Sequence, residues 1–282
     1  MAIAPPALLA DNRGMHRPPP PAARRCRPLH RARHSLCALA LLLASPASAS
    51  AADEFRTGNW AAVVRDGHAE NSIDSLILAG RAQLSIAGYQ TADKARAMAI
   101  IAAAEADFDK ALARAPGNVE AQLQKAVAIA YRAQLTRGIG LAKDVRRRFE
   151  AIRTAHPENS LVWGALGGWH GGAVATVGSF LAGTVLGAKK SEMERCYAQA
   201  LRLAPGLPST RTFFAITLLD LDPANATRAA ALLKGIETLP AEDGFEAMMK
   251  QQGIELAASI ARGNATSAQA TARRLKAFSR LG

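Results

Sequence analysis

The stretch 157–172, read as PENSLVWGALGGWHGG, is the strongest constraint on what this chain can fold into. Pro157 has no N–H to continue a helical ladder, so a helix arriving from its N-terminal side stops there. Asn159 or Ser160 can accept from the free N–H groups of a new first turn, so another helix starts at once. Trp163, Leu166 and Gly167 follow, a large anchor beside a small residue that lets a partner helix come close. Helix, short turn and helix with a close-approach position read as one unit of a stack of helical hairpins.

The same punctuation recurs along the chain. Phe108, Ala111 and Pro116 have the spacing of Phe149, Ile152 and Pro157, of Tyr197, Ala200 and Pro205, and of Leu232, Gly235 and Pro240. In each set a bulky residue can fill a hairpin, the residue three on lets a neighbour approach, and the proline ends the unit. Ala104 adds a small residue one turn before Phe108. These second-helix halves, with Trp163, Leu166 and Gly167 as a first-helix half, resemble tetratricopeptide-repeat (TPR) proteins over about residues 72–250. His170 stands where such repeats usually carry tyrosine. Gln122, Lys125, Ala126 and Ile129 depart from the first-helix pattern, and the prolines lie 41, 48 and 35 residues apart instead of about 34. The resemblance implies an all-α fold: a right-handed α-solenoid of degenerate antiparallel helix hairpins, about ten helices in all.

A narrower likeness rests on Trp163, Leu166, Gly167 and Trp169, the Gly-rich insert 171–190, and Ala200, Leu201, Leu203 and Pro205. This pattern is similar to regulators of microtubule dynamics and related bacterial secreted TPR proteins. At fold level alone the chain also resembles the TPR-like subunit of some tripartite periplasmic transporters. Neither likeness implies a catalytic residue.

Periodicity places the other helices. A first one is expected over 53–66, with Phe55, Trp60, Val63 and Val64 inward. A second runs over 72–87, capped by Ser72, with a stripe of Ile73, Leu76, Ile77, Gly80 and Leu84 and a stop at Gly88. The longest spans 92–115 behind a Thr91 cap, with Ala97, Ile101, Ala104, Phe108, Ala111 and Ala115 on one narrow face. Later helices are expected over about 224–238, 243–262 and 265–280, the last one basic and closing the stack.

The N-terminus reads as an address. Arg24, Arg25, Arg27, Arg31 and Arg33 precede a short apolar run at 36–44 and the small-residue segment SPASASAAD, the order of a secretory signal peptide. Cleavage after Ala49 or Ala51 fits that segment. The expected division is thus 1–51 for the basic region and signal peptide and 52–282 for the repeat domain, periplasmic or secreted. Translation could start at Met1 or Met15. The formal net charge is +12, but 1–51 holds 7 basic residues and 1 acid, leaving 28 against 22 in the rest. A residual +6 does not argue for nucleic acid. Only Cys196 remains after 51, so no internal disulfide is available.

Candidate chemistry is sparse. His68, His156 and His170 lie far apart without close-spaced ligand partners, so no metal or other cofactor is expected. Lys143, Arg146, Arg147 and Arg148 form a charge run without interleaved aromatics, which reads as a solvated helix face. Asn225 and Asn264 each open an N-x-T sequon. No motif nominates a nucleophile, acid or base, and the chain is read as non-enzymatic. Segment 161–188 holds no Asp, Glu, Lys or Arg. The favoured reading is a buried repeat helix followed by a Gly-rich insert. Contact with a membrane or partner through Val174, Val177, Phe180, Leu181, Val185 and Leu186 stays open.

The function implied by the TPR resemblance is a scaffold that binds a protein or peptide on its concave face. By that resemblance the groove positions are Leu123, Val127, Tyr131, Gly164, Gly168, Thr212 and Ile216. The alternative is a small-molecule-binding accessory protein of a transport system.

Overall fold

The computed structural model describes residues 49–281, which all belong to one compact unit. The signal-peptide reading of the N-terminal segment falls mostly on residues outside that range. Among the described residues the fold is all-α, with twelve α-helices and no strand. The helices are α1 (Ala51–Thr57), α2 (Trp60–Glu70), α3 (Ile73–Ser85), α4 (Lys94–Arg114), α5 (Val119–Thr136) and α6 (Ile139–Ala155). After these come α7 (Ser160–Leu181), α8 (Lys190–Leu203), α9 (Pro208–Leu221), α10 (Ala226–Leu233), α11 (Gly244–Ala261) and α12 (Ala265–Leu275).

Three turns share one construction. The residues before Pro116, Pro157 and Pro205 are Ala115, His156 and Ala204, with φ/ψ of −140°/80°, −134°/67° and −139°/75°. A following proline drives its predecessor out of the helical region, so α4, α6 and α8 all end one residue earlier. In each turn the residue two after the proline donates its N–H back: Asn118 to Ala115 O, Asn159 to His156 O, and Leu207 to Ala204 O. In each, the side chain six residues past the proline donates to the proline carbonyl: Gln122 at 2.7 Å, Trp163 at 2.8 Å, and Arg211 at 2.8 Å. Gln122 therefore makes at its turn the hydrogen bond that Trp163 makes at the next one.

The bulky and small positions meet across the hairpins. Phe108, Phe149 and Tyr197 are buried, as are Ala111, Ile152 and Ala200. Gly80 on α3 faces the Phe108 ring on α4, and a Cβ there would stand 2.4 Å from a ring carbon. Gly167 on α7 faces Tyr197 on α8 in the same way, with a Cβ falling 2.8 Å from the ring. The cores overlap along the chain: one joins α3, α4 and α5, the next joins α5 through α8, and a third joins α9 through α12.

The structure departs from the sequence expectations where long-range contacts decide. The helix expected over 53–66 is two helices, because Gly58 adopts φ +79° and ends α1. That break lets Gly58 lie against Gly244, where a Cβ on Gly244 would sit 2.4 Å from the Gly58 Cα. Gly88 does not end the second helix, which continues through a π-helical turn, Ile86–Gln90. Asp93, rather than Thr91, caps α4, and the Thr91 hydroxyl donates to Ile86 O. The fourth proline set is not a hairpin end: α10 stops at Leu233, and Gly235 turns the chain at φ +74° well before Pro240. The final helix ends at Leu275, short of the expected 280.

The last of these departures places the C-terminus. The Phe278 N–H donates to Gly88 O at 2.6 Å, and the Phe278 ring meets Tyr131 edge-on at 4.8 Å. Arg81 on α3 stacks over Phe55 and pairs with Asp243 just before α11. The C-terminal helices thus pack back against α1, α3, α5 and α9.

Candidate functional site: the α7 projection

The seven groove positions do not form an open surface. Thr212 is fully buried, and its hydroxyl donates to Met249 O on α11 at 3.0 Å. Gly253 permits that approach, since a Cβ there would stand 2.6 Å from the Thr212 hydroxyl oxygen. Ile216 is buried in the α9–α12 core and Leu123 in the α5–α8 core. Val127 and Tyr131 are half-buried, the latter beneath Phe278. Gly164 lies beside Thr210, and Gly168 lies 3.3 Å, measured from an added Cβ, below the Tyr197 hydroxyl. The structure spreads these residues over several cores instead of gathering them. Leu123, Thr212 and Ile216 are buried, Thr212 beneath α11, while Val127, Tyr131, Gly164 and Gly168 stay half-buried.

Segment 161–188 behaves differently along its length. Val162, Trp163, Leu166, Gly167, His170, Gly171 and Val174 are buried. From Ala175 to Leu181 every residue is exposed, as are Thr184 and Val185. Phe180 is 79% exposed, Leu181 51% and Val177 41%, which makes this the main cluster of large exposed apolar side chains. Val174, expected among the contact residues, instead packs with Ala182 and Ala188 at the base. Gly178 breaks the helix at φ 78°, ψ 158°, a conformation open chiefly to glycine. A π-helical turn, Ala182–Leu186, brings the chain back, and Gly187 ends it at φ +70°.

The base of this projection is rigidly tied. The Trp169 indole donates to Ala142 O on α6 at 3.0 Å. The Arg146 guanidinium donates to Leu186 O at 3.0 Å and Gly187 O at 3.2 Å, and pairs with Glu150 at 2.8 Å. His170 accepts the Lys189 N–H through Nδ1 at 3.3 Å and meets Trp169 edge-on. Burial, aided by the Arg146 charge, pushes the His170 pKa down to about 4, so the ring is neutral near pH 7. The hydroxyls of Thr176 and Thr184 are spent on Gly172 O and Phe180 O in their own helical turns. The projection therefore presents chiefly apolar surface.

Two buried polar ties escaped the sequence reading. Asp107, 2% exposed, accepts from Gln83 and Lys110 and faces His68 Nε2 at 2.6 Å, joining α2, α3 and α4. Glu246 on α11 accepts the Ser209 N–H at 2.8 Å, and burial pushes its pKa up. Leu207 offers α9 no side-chain cap, so Glu246 does from afar what Asn118 and Asn159 do locally. Neither tie had a signal in local spacing. The sequon residues serve locally too, Asn264 capping α12 and Asn225 donating to Leu218 O. Burial holds the Cys196 thiol at a pKa of about 11, far from the reactive thiolate. No cluster of three or more His, Cys, Asp or Glu suited to a metal occurs among the described residues.

No family model matches the chain, and no curated protein or solved structure matches it.

Proposed function

We propose that this chain is an exported, non-enzymatic helical-repeat scaffold of TPR type whose docking element is the α7 projection. The observation that carries the reading is the exposed set Val177, Phe180, Leu181 and Val185, held on a base fixed by Trp169, Arg146 and His170. An apolar patch costs solubility and is kept off most surfaces unless something covers it. The repeat assignment draws on the three like-built proline turns and on the matched Gly80–Phe108 and Gly167–Tyr197 approaches. The projection is preferred to the groove positions as the docking surface, because Thr212 bonds to Met249 O and Tyr131 lies against Phe278.

Export with cleavage after Ala49 is the accompanying proposal. Ser50 caps α1 in a reciprocal capping box with Asp53, and the Ala51 N–H donates to Glu70 at 2.6 Å. A cut after Ala49 preserves both, whereas a cut after Ala51 removes the cap and a fully buried residue. N-terminal sequencing of the exported protein should read Ser-Ala-Ala-Asp; a start at Ala52 would contradict this.

The docking reading is tested in cell fractions. The wild-type protein should sediment with a larger assembly or with membranes, and Phe180→Asp should release it while keeping the wild-type helix content. A wild-type protein that runs free, or a variant that stays attached, would overturn the reading.

A further inference from the structure

We infer that the α7 projection is an interfacial anchor that seats the protein on an anionic lipid surface; this rests on reading the projection as the docking element. Three observations favour lipid over a protein partner. The first is charge. Lys189 and Lys190 follow the projection directly, and both are exposed. Beside its base α6 brings Lys143, Arg146 and Arg147 with Asp144 and Glu150, and Glu192 on α8 stands near His170, so five cations face three carboxylates. These carboxylates are already engaged, Asp144 by Arg147 and Arg148, Glu150 by Arg146 and Glu192 by Arg195. An apolar tip above a cationic collar matches the layering of acyl chains beneath anionic headgroups, where Lys and Arg stems extend toward the headgroup phosphates.

The second observation is size. The exposed run Ala175–Leu181 with Thr184 and Val185 is far smaller than the roughly 20–30 residues a side of a stable protein interface. A lipid surface needs no complementary partner patch, so a few inserted side chains joined to basic residues suffice. The third is polar satisfaction. The tip stays helical on either side of Gly178, and the Gly187 and Ala188 N–H groups close onto Gly183 O and Ala182 O. The Thr176 and Thr184 hydroxyls are likewise spent internally. Entry into an apolar layer penalises each unpaired polar group, and this tip has had most of its own paired in advance. No single helix among the described residues is long and apolar enough to cross a membrane, and the contact proposed is with the surface layer alone.

The test uses the chain from Ser50, the proposed exported form, mixed with vesicles of pure phosphatidylcholine or of phosphatidylcholine with one quarter phosphatidylglycerol. The protein should float with the anionic vesicles and stay behind with the neutral ones. Phe180→Trp should give added, blue-shifted emission on vesicle addition, because position 180 enters the apolar layer. The double variant Lys189→Ala, Lys190→Ala should weaken anionic binding by about 10- to 30-fold, as expected for two cations near such a surface. Phe180→Asp should abolish flotation, and Phe180→Ser serves if the aspartate variant misfolds. Absence of flotation with anionic vesicles, or equal flotation of Phe180→Asp, overturns the proposal. If the wild type ignores vesicles but Phe180→Asp still detaches it in cell fractions, the projection docks a protein and only the lipid assignment falls. A concentration-dependent dimer that Phe180→Asp dissolves would make a second copy the occupant and overturn it equally.

Discussion

The two halves of α7 differ little in composition and are opposite in fate. Residues 160–174 and 175–186 are both uncharged and rich in glycine, alanine and valine. The first half is packed between α6, α8 and α9, whereas the second half leaves the stack. The difference lies in what the glycines meet. Gly167 and Gly171 in the first part admit Tyr197, Met193 and Thr217 at distances no Cβ allows, whereas Gly178 in the second has nothing within 4 Å. Buried glycine here is a packing device, and exposed glycine is a backbone device. Hydropathy alone cannot tell the two apart.

The largest expected effect breaks the packed half of that comparison. Phe108→Ala, the cognate of Tyr197 in the earlier hairpin, should cost about 3–5 kcal/mol in chemical denaturation, since its ring is fully buried against Gly80. A loss below about 1 kcal/mol would mean that this hairpin does not depend on the repeat contact.

An acid titration reaches the joint between the halves. His170 holds its ordinary pKa near 6.5 when unfolded and about 4 when folded, so between those values the unfolded chain binds more protons. Stability should be full above about pH 6.5 and fall as pH drops toward 4, by up to roughly 3 kcal/mol. Protonation also removes the Nδ1 acceptor of the Lys189 N–H, which ties the base of the projection. His170→Gln should flatten this part of the pH profile; an unchanged slope would assign it to other groups.

Neighbouring glycines give the sharper contrast. Gly171→Val should destabilise by about 1–3 kcal/mol, because a Cβ there lands 2.2 Å from Thr217. Gly172→Ala, one residue on, should stabilise by about 0.5–1 kcal/mol, since open space surrounds it and alanine favours the helix. Matching signs for the two would refute the division between glycines in close contact and glycines with open space around them. The smallest effect belongs to the exposed half: Phe180→Ser should shift the unfolding midpoint within about 0.5 kcal/mol, as an exposed side chain has little native packing to lose.

Much of the helical punctuation was legible. Pro116, Pro157 and Pro205 end helices through a steric effect on the preceding residue that needs no tertiary partner. Pro240 departs from the other three because no α-helix runs up to it: Gly235 turns the chain after α10, and only a 3-10 turn at Ile236–Thr238 precedes the proline. Gly58 was overlooked inside an apolar pattern, since its role is set by Gly244 far along the chain. The groove positions were placed by resemblance, and what covers them comes from α11 and the Phe278 segment.

By itself the sequence determined that the chain is helical, where three of its helices end at prolines, and that one long segment carries no charge. These follow from proline sterics, side-chain periodicity and composition, which act within a few residues. Only the tertiary structure decided that Glu246 caps α9, that α11 covers Thr212, and that the uncharged segment divides at Ala175 into core and projection. Burial depends on which atoms arrive from elsewhere, and no local pattern specifies them.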